Sequence, residues 1–156
     1  MIRENLNDFF NETKRVGPFL GIDLGEKRVG LSISDRTQSI ASNYATLQKK
    51  KFSVFSLELK SIIDKEIICG IVIGLPLNMD GSEGPKCQST RDFAKNFLNI
   101  VDLPITFWDE RLTTVAAERS LLSADLSRKK RRQVIDSVAA VLILQNILDR
   151  LKHLDQ

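Results

Sequence analysis

A single carboxylate, Asp23, stands in the apolar stretch Phe19-Leu20-Gly21-Ile22-Asp23-Leu24-Gly25. The stretch predicts a buried β-strand whose side chains alternate between two faces, so that Asp23 shares its face with Gly21 and Gly25. We expect these two glycines to leave open space around the carboxylate oxygens. A buried charge costs free energy unless a partner or a metal ion satisfies it. Asp23 is therefore a metal ligand or a hairpin aspartate that bonds local backbone amides, and the stretch alone favours neither.

A second pair of carboxylates, Asp109 and Glu110, directly follows the apolar strand pattern of residues 105–108. Ligand sites in open α/β sheets gather at the carboxyl ends of strands, which is where this pair would lie. The alternative is a solvated pair at a turn, or an ion pair with Arg111. That alternative is favoured for whichever of the two carboxylates faces away from Asp23.

A third carboxylate, Asp136, begins an apolar stripe at helical spacing that continues through Ala139, Ala140, Ile143 and Ile147. Small alanines allow a helix to approach a sheet closely, which would bring Asp136 against the strand ends. A solvated aspartate is more typical of the polar face of a helix. The position therefore modestly favours a functional role for Asp136.

Three carboxylates brought together repel one another, and a divalent cation compensates for this repulsion. Oxygen ligands without histidine favour Mg²⁺ or Mn²⁺, and a pair of such ions can support in-line displacement at a phosphodiester. The chain contains one histidine, His153, and two cysteines in unrelated contexts, Cys69 and Cys87. A His/Cys zinc site and a histidine-dependent catalytic triad are therefore both disfavoured, and the cysteine usage suits a reducing compartment.

Basic runs at residues 49–51 and 128–132 would suit contacts to nucleic-acid phosphates, although most charge runs are simply solvated faces. The segment 74–85 is rich in turn residues and connects a strand end to a helix start. It is either a candidate anion site or an ordinary long connection. It contains neither a P-loop nor a dinucleotide-binding fingerprint.

The 156 residues are 42% hydrophobic and 28% charged with a net charge of +3, which is typical of one globular domain. We expect a short N-terminal extension over residues 1–17, docked through Phe9 and Phe10, and a single domain over residues 18–152. Nothing in the sequence resembles a signal peptide or reaches transmembrane length, so we expect a cytoplasmic protein with no membrane contact.

The apolar periodicity predicts an α/β fold with a mixed five-stranded sheet flanked by helices. The first three strands form an antiparallel meander, and the alternation of later helices with covered strands implies parallel pairing. The basic run 128–132 is expected to lead into the last helix. The predicted strands cover about residues 18–24, 29–34, 40–47, 67–75 and 103–109, and the predicted helices cover residues 52–65, 89–100, 113–122 and 133–151.

Four sequence blocks in register resemble the YqgF/RuvX family, whose members are described as Holliday-junction-resolvase-like proteins and pre-16S rRNA nucleases. The blocks are Gly21-Ile22-Asp23-Leu24-Gly25 with Arg28-Val29-Gly30, residues 74–81, residues 109–114 and residues 136–140. The resemblance covers roughly residues 19–151 and leaves residues 1–17 outside. It implies a ribonuclease-H-like fold with a divalent-metal site.

The resemblance also assigns roles to single residues. It implies that Asp23, Glu110 and Asp136 are catalytic and hold Mg²⁺ or Mn²⁺, with Glu110 preferred over Asp109. Strand alternation leaves that last choice open. Related resolvases commonly carry a fourth acid near the last one, and none lies within about a turn of Asp136 here, so Asp109 stays a candidate ligand. The expected phosphate-binding residues are Lys27, Arg28, Asn78, Arg111, Arg128, Lys129 and Arg132.

The leading hypothesis is a metal-dependent nuclease that processes the 5′ end of pre-16S rRNA in ribosome biogenesis. Its expected partners are structured RNA, branched DNA as a further substrate, and the ribosome-assembly or transcription machinery. We expect a monomer or a weak homodimer. The alternatives are a Holliday junction resolvase and a non-catalytic nucleic-acid adaptor. An ATPase of the actin or sugar-kinase kind is disfavoured, because those proteins close two such domains around ATP.

Overall fold

The computed structural model describes residues 1–14, 16–112 and 128–154, with the side chains of the last range described from residue 138 onward. A short 3₁₀ turn, Glu110–Leu112, follows the last described strand. The helices and strands are α1 (Leu6–Thr13), β1 (Phe19–Leu24), β2 (Arg28–Ser34), β3 (Ala41–Gln48), α2 (Phe52–Glu66), β4 (Gly70–Leu75), α3 (Pro85–Phe97), β5 (Ile105–Asp109) and α4 (Arg128–Leu154).

The five strands form one mixed sheet in the order β3-β2-β1-β4-β5. β1 pairs antiparallel with β2, and β2 pairs antiparallel with β3, as the meander prediction requires. β1 and β4 pair in parallel, as do β4 and β5. The predicted mixed α/β sheet is therefore confirmed, and the carboxyl ends of β1, β4 and β5 meet at one edge.

Each face of the sheet carries its own hydrophobic cluster. Leu20 and Ile22 of β1 pack with α2 and α3 on one face, whereas Phe19 packs with α1 and α4 on the other. This division confirms the predicted alternation of side chains along β1. Asp23 follows the parity of Phe19 and therefore belongs to the α4 face.

The N-terminal segment docks onto the body of the protein as predicted, through Phe9 and Phe10 of α1. Ahead of α1, Ile2 forms a parallel bridge with Ile105, and the Arg3 amide donates to the Ile105 carbonyl at 2.7 Å. The first residues thus extend the edge of the sheet beside β5. The division into an extension over 1–17 and a domain over 18–152 stays a prediction.

Two helices begin earlier in the chain than predicted. α3 begins at Pro85 instead of residue 89, because Gly84 takes the N-cap position and proline suits the first helical turn. α4 begins at Arg128, so the basic run lies within the helix instead of leading into it, in keeping with the high helix propensity of lysine and arginine. The helix predicted over residues 113–122 lies outside the described residues.

The fourth strand is also shorter than predicted, since β4 begins at Gly70 instead of residue 67. Ile67 has a positive φ of 55° and ends α2 in the left-handed conformation, with its amide bonded to the Ile63 carbonyl. Because Ile67 is apolar like the residues that follow it, the sequence pattern assigns this helix cap to the strand. In the described ranges, no helix has the length and apolarity needed to cross a membrane.

The glycines on either side of Asp23 in the sequence do not leave open space, contrary to the prediction. A Cβ on Gly21 would collide with the Ser32 hydroxyl and lie 3.0 Å from the Leu144 Cβ and 3.3 Å from the Ala140 carbonyl oxygen, so β2 and α4 together fill this position. A Cβ on Gly25 would lie 2.6 Å from the Arg28 carbonyl oxygen, because the β1–β2 turn closes there. The lack of a side chain lets α4 pack closely at Gly21 and lets the β1–β2 turn close at Gly25.

Candidate functional site

Asp23 is the penultimate residue of β1 and is 7% exposed. Its neighbour on β2 is Gly30, and because Ile22 pairs with Ile73, its neighbour on β4 is Gly74. Glycines therefore face Asp23 from both adjacent strands. The position over Gly74 is nevertheless filled, because a Cβ there would lie 2.5 Å from the Ile143 Cδ1 atom and 3.1 Å from the Glu110 Oε1 atom.

Glu110 is the first residue of the 3₁₀ turn after β5 and is half-buried. Its Oε1 lies 3.1 Å from the position that a Cβ on Gly74 would take, so the side chain lies across β4 toward β1. Asp23 and Glu110 both line one cleft of about 730 Å³ at the carboxyl ends of the parallel strands. The structure thus brings two of the three predicted catalytic carboxylates to the same cleft.

Asp109 is held by Arg111. The Arg111 guanidinium donates to both Asp109 oxygens, at 2.8 Å from Nη2 to Oδ2 and 3.1 Å from Nε to Oδ1. These hydrogen bonds from Arg111 hold the pKa of Asp109 below its ordinary value. Arg111 Nη1 also donates to the Met79 carbonyl at 3.3 Å. Asp109 thus forms the ion pair that was its alternative role, and a place for it among metal ligands stays a prediction.

Asp136 lies in α4, one helical turn before Ala140, and its side chain is outside the described residues. The stripe that it begins is buried as predicted at Ala139, Ala140, Ile143 and Ile147. The Ser32 hydroxyl donates to the Ala140 carbonyl at 2.7 Å, which shows how closely α4 approaches β2. The catalytic role of Asp136 stays a prediction. The same holds for the phosphate contacts expected of Arg128, Lys129 and Arg132, which begin α4.

Arg28 and Lys27 lie at the turn between β1 and β2. Arg28 begins β2 on the face that also carries Gly30, the neighbour of Asp23. Its Nη1 is buried, and no described residue accepts a hydrogen bond from it. Lys27 is exposed, and its carbonyl accepts from the Lys49 amide at 2.9 Å. The phosphate contacts expected of Lys27 and Arg28 stay predictions.

The segment 74–85 forms many hydrogen bonds within itself, and the phosphate contact expected of Asn78 stays a prediction. The Asn78 amide donates to the Ser82 carbonyl, and the Gly81 amide donates to the Asn78 carbonyl. Asp80 Oδ1 accepts from both the amide and the hydroxyl of Ser82, at 2.9 and 2.6 Å. The Asn78 side chain also donates to the Ser82 hydroxyl at 3.0 Å. Because these groups bond within the loop, the ordinary-connection alternative is favoured.

Cations border the cleft, and each has a partner within the protein. Lys49 Nζ donates to the Gly25 carbonyl at 3.2 Å, and Lys50 Nζ lies 2.6 Å from a Glu58 oxygen. Lys86 Nζ lies 3.6 Å from a carboxylate oxygen of Glu26, and both of these side chains are largely exposed. Because an exposed ion pair of this kind contributes little stability, its lysine can bind another anion instead. The sequence pattern does not single out Lys86, because the residue lies outside the basic runs.

Aromatic side chains form another part of the lining, which we call the aromatic wall: Phe52, Phe55 and Phe93. The sequence pattern places Phe52 and Phe55 in the predicted helix over residues 52–65 and does not single out Phe93. The signal was the position of Phe52 directly after the lysine run 49–51, since aromatic residues beside cations are typical of nucleic-acid surfaces.

The cleft has the donors that a hard divalent cation prefers, because Asp23 and Glu110 present only carboxylate oxygens. Among the residues that the structure describes, no group of three or more His, Cys, Asp or Glu side chains lies together. The side chain of Asp136, the third predicted ligand, is outside the described residues. Asp23 and Glu110 thus have the ligand chemistry that Mg²⁺ or Mn²⁺ requires, and a metal site formed by them stays a prediction.

Sequence comparison links the whole chain to known proteins. A family model described as "RuvX: Holliday junction resolvase" matches residues 17–150. A Ruegeria sp. (strain TM1040) protein named "Putative pre-16S rRNA nuclease" is 53% identical over 154 residues, which is 99% of this chain and 98% of the relative. A Rhodobacter capsulatus protein of the same name is 52% identical over 99% of this chain and 97% of its own length. The similarity therefore extends into residues 1–17.

Solved structures of low sequence identity share the fold. The structure titled "T. thermophilus RuvC in complex with Holliday junction substrate" matches with a TM-score of 0.54 at 9% identity, over 86% of this chain and 96% of that chain. A Thermus thermophilus RuvC structure matches with a TM-score of 0.50 at 10% identity over the same shares. The predicted ribonuclease-H-like fold is confirmed. Because the family model matches residues 17–150 and relatives are more than half identical to it, this chain belongs to the RuvX family.

Proposed function

We propose that this chain is a divalent-metal-dependent nuclease that hydrolyses phosphodiester bonds at the 5′ end of pre-16S rRNA during ribosome biogenesis in the cytoplasm. The observation that carries the proposal is the meeting of Asp23 and Glu110 in one cleft at the carboxyl ends of β1 and β5. The name shared by relatives about half identical to this chain supports the choice of substrate.

The cleft would hold Mg²⁺ or Mn²⁺ through Asp23 and Glu110, with Asp136 as the third ligand. Two carboxylates in a partly enclosed cleft repel each other, which favours a bound cation. Magnesium commonly uses only a few carboxylates together with substrate phosphates. When bound, such a cation supplies Lewis-acid chemistry at the scissile phosphate.

The position of each residue around the cleft determines the role that we assign to it. Asp23 is fixed because β1 is paired on both sides, with β2 and with β4. Glu110 extends from a short turn, where it or Asp136 would orient the attacking water. Lys49 and Lys86 at the rim would seat the flanking phosphates, and such contacts position a nucleic acid without reading its sequence.

The test offers the purified protein two substrates in parallel, with Mg²⁺ or Mn²⁺. One is an RNA that carries the 5′ precursor end of 16S rRNA, and the other is a four-way DNA junction. We expect cleavage of the RNA and loss of that cleavage when a chelator removes the cation. Absence of metal-dependent RNA cleavage would contradict the proposal, and RNA binding without cleavage would favour an adaptor in ribosome assembly or transcription.

A junction resolvase is the second candidate function, and the description of the matched family favours it. A resolvase must cut two opposed strands, which two copies of one cleft would do in a symmetric dimer. RNA trimming needs one cleft and is compatible with a monomer or a weak homodimer. Symmetric cutting of the junction together with an uncut RNA would establish this second function.

A further inference from the structure

We propose that the aromatic wall binds an unpaired base of the RNA strand being cut, so that the cleft selects single-stranded segments over closed duplex. This inference rests on the proposed nuclease function and specifies its substrate class. It starts from the observation that Phe52, Phe55 and Phe93 line the same cleft as Asp23 and Glu110. The carboxylates come from the sheet edge, whereas the rings come from α2 and α3.

The rings of the aromatic wall pack against one another and against the buried Phe97. Phe93 stacks on the buried Phe97, with ring centroids 5.4 Å apart and an interplanar angle of 15°. Phe55 is 3% exposed and lies 5.7 Å from Phe93. Phe52 meets Phe93 edge-on, at 5.9 Å and 77°. Because these rings are fixed by their neighbours, a base that stacks on the wall would not first have to order it.

Phe52 is the most accessible member of the wall. It is the first residue of α2, and its side chain is 38% exposed. A single exposed apolar residue is ordinary on a protein surface. Phe52 is distinguished by its place at a cleft that also contains two carboxylates and is bordered by lysines.

The chemistry of the lining matches a single strand. Proteins that bind single-stranded nucleic acid combine cations along the backbone with aromatic side chains on which bases stack. Here Lys49, Lys50 and Lys86 provide the cations, and the aromatic wall provides the stacking surface. The cleft of about 730 Å³ lies within the size range of sites that enclose small ligands, so a nucleotide has room to enter.

A closed duplex would not satisfy this arrangement. Bases in a helix are stacked on one another, and recognition by stacking on phenylalanine requires bases that can be splayed out. With the scissile phosphate at a cation that Asp23 and Glu110 would hold, a neighbouring unpaired base would enter the cleft against Phe52. Stacking tolerates any base, so the wall would select strand structure without strong sequence preference.

The experiment measures binding with the Asp23→Asn protein, which separates binding from cleavage. The probes are a short fluorescein-labelled single-stranded RNA, the same RNA with abasic sites beside the expected cleavage position, and its duplex. Adding Phe52→Ala should weaken binding of the intact single strand by about 5- to 100-fold, in line with the stacking energy of one base. Binding of the abasic RNA should not change, and Phe52→Tyr, which keeps the ring, should bind like phenylalanine.

The matched control is Val54→Ala, at an exposed position of the same helix, which should leave all three affinities unchanged. Equal weakening of intact and abasic RNA by Phe52→Ala, or equal affinity of the starting protein for duplex and single strand, would overturn the inference. Cleavage by the wild-type protein is scored separately. Base-dependent binding without any cleavage would refute the nuclease function alone, and cleavage that is indifferent to Phe52 and to abasic sites would refute the inference alone.

Discussion

Asp109 and Glu110 are adjacent in sequence, yet their side chains have different surroundings. Asp109 is tied to Arg111, whereas Glu110 lies over Gly74 and lines the cleft with Asp23. Strand alternation could not decide between them, because β5 ends at Asp109 and the 3₁₀ turn sets the direction of Glu110. The preference for Glu110 came from the family resemblance, and its catalytic role remains to be tested.

The two carboxylates should respond differently to removal of their charge. We expect Glu110→Gln to lower the initial rate of RNA cleavage by about 100-fold or more, since it removes a group from the reacting centre. Asp109→Asn should cost about tenfold or less, because it weakens only the contact that fixes Arg111. Cleavage rates at saturating Mg²⁺ measure both effects. A larger loss for Asp109→Asn than for Glu110→Gln would contradict this assignment.

At the scale of elements, alternation and helical spacing predicted most of the architecture. The strands of the meander and the buried stripe of α4 are where the patterns placed them. The surroundings of Asp23 were harder to predict, because Gly30 and Gly74 become its neighbours only through strand register. Contacts between distant segments of this kind leave no local periodicity in the sequence.

The connection between β2 and β3 illustrates how one side chain can order an element. Asp35 accepts hydrogen bonds from the Thr37 hydroxyl at 2.6 Å and from the Ser39 and Ile40 amides at 2.8 and 3.1 Å. The bond from Thr37 is the largest of the causes that hold the pKa of Asp35 below its ordinary value. These contacts hold the ends of β2 and β3 at the spacing that the sheet requires.

We expect Asp35→Ala to lower the free energy of unfolding by about 1 kcal/mol at neutral pH, a value reduced by solvent exposure. Because the folded-state pKa is depressed, this stabilisation is present above the unfolded-state pKa of about 3.9 and is lost as the pH falls through the lower folded-state value. Urea denaturation across that range measures the difference from wild type, which should shrink with acid.

The control for this pH series is Asp64→Ala. Asp64 is exposed on α2 and pairs with Lys60 at 2.8 Å, a surface pair worth only a few tenths of a kcal/mol. An Asp35→Ala difference that stays constant with acid would mean that its hydrogen bonds do not favour the charged carboxylate.

For the whole molecule, the stabilising N-terminal segment and the cleft lie at opposite ends of the sheet. Phe9 is fully buried and packs against Phe19 with ring centroids 5.3 Å apart. Its ring lies 2.9 Å from the position of a Cβ on Gly70, at the amino end of β4. Asp23 and Glu110 lie at the carboxyl ends of the strands. Stability and catalysis should therefore be separable by mutation.

Phe9→Ala should lower the free energy of unfolding by about 3–5 kcal/mol, the usual cost of deleting a buried phenylalanine ring. Cleavage per folded molecule should remain near the wild-type value, because the cavity forms far from the cleft. Thermal or urea denaturation gives the first quantity, and the rate corrected for the folded fraction gives the second. Val16→Ala, at an exposed position, should change neither. A small loss of stability for Phe9→Ala would show that α1 contributes little to the fold.

The most direct test of the central claim compares RNA cleavage by the wild-type protein, Asp23→Asn and the exposed control Asp64→Asn, all in Mg²⁺. The replacement at Asp23 keeps the size of the side chain and removes its charge, so circular dichroism and thermal unfolding should show an intact fold. We predict that Asp23→Asn abolishes metal-dependent cleavage and that Asp64→Asn retains it. A folded Asp23→Asn protein that cuts RNA at the wild-type rate would contradict the account.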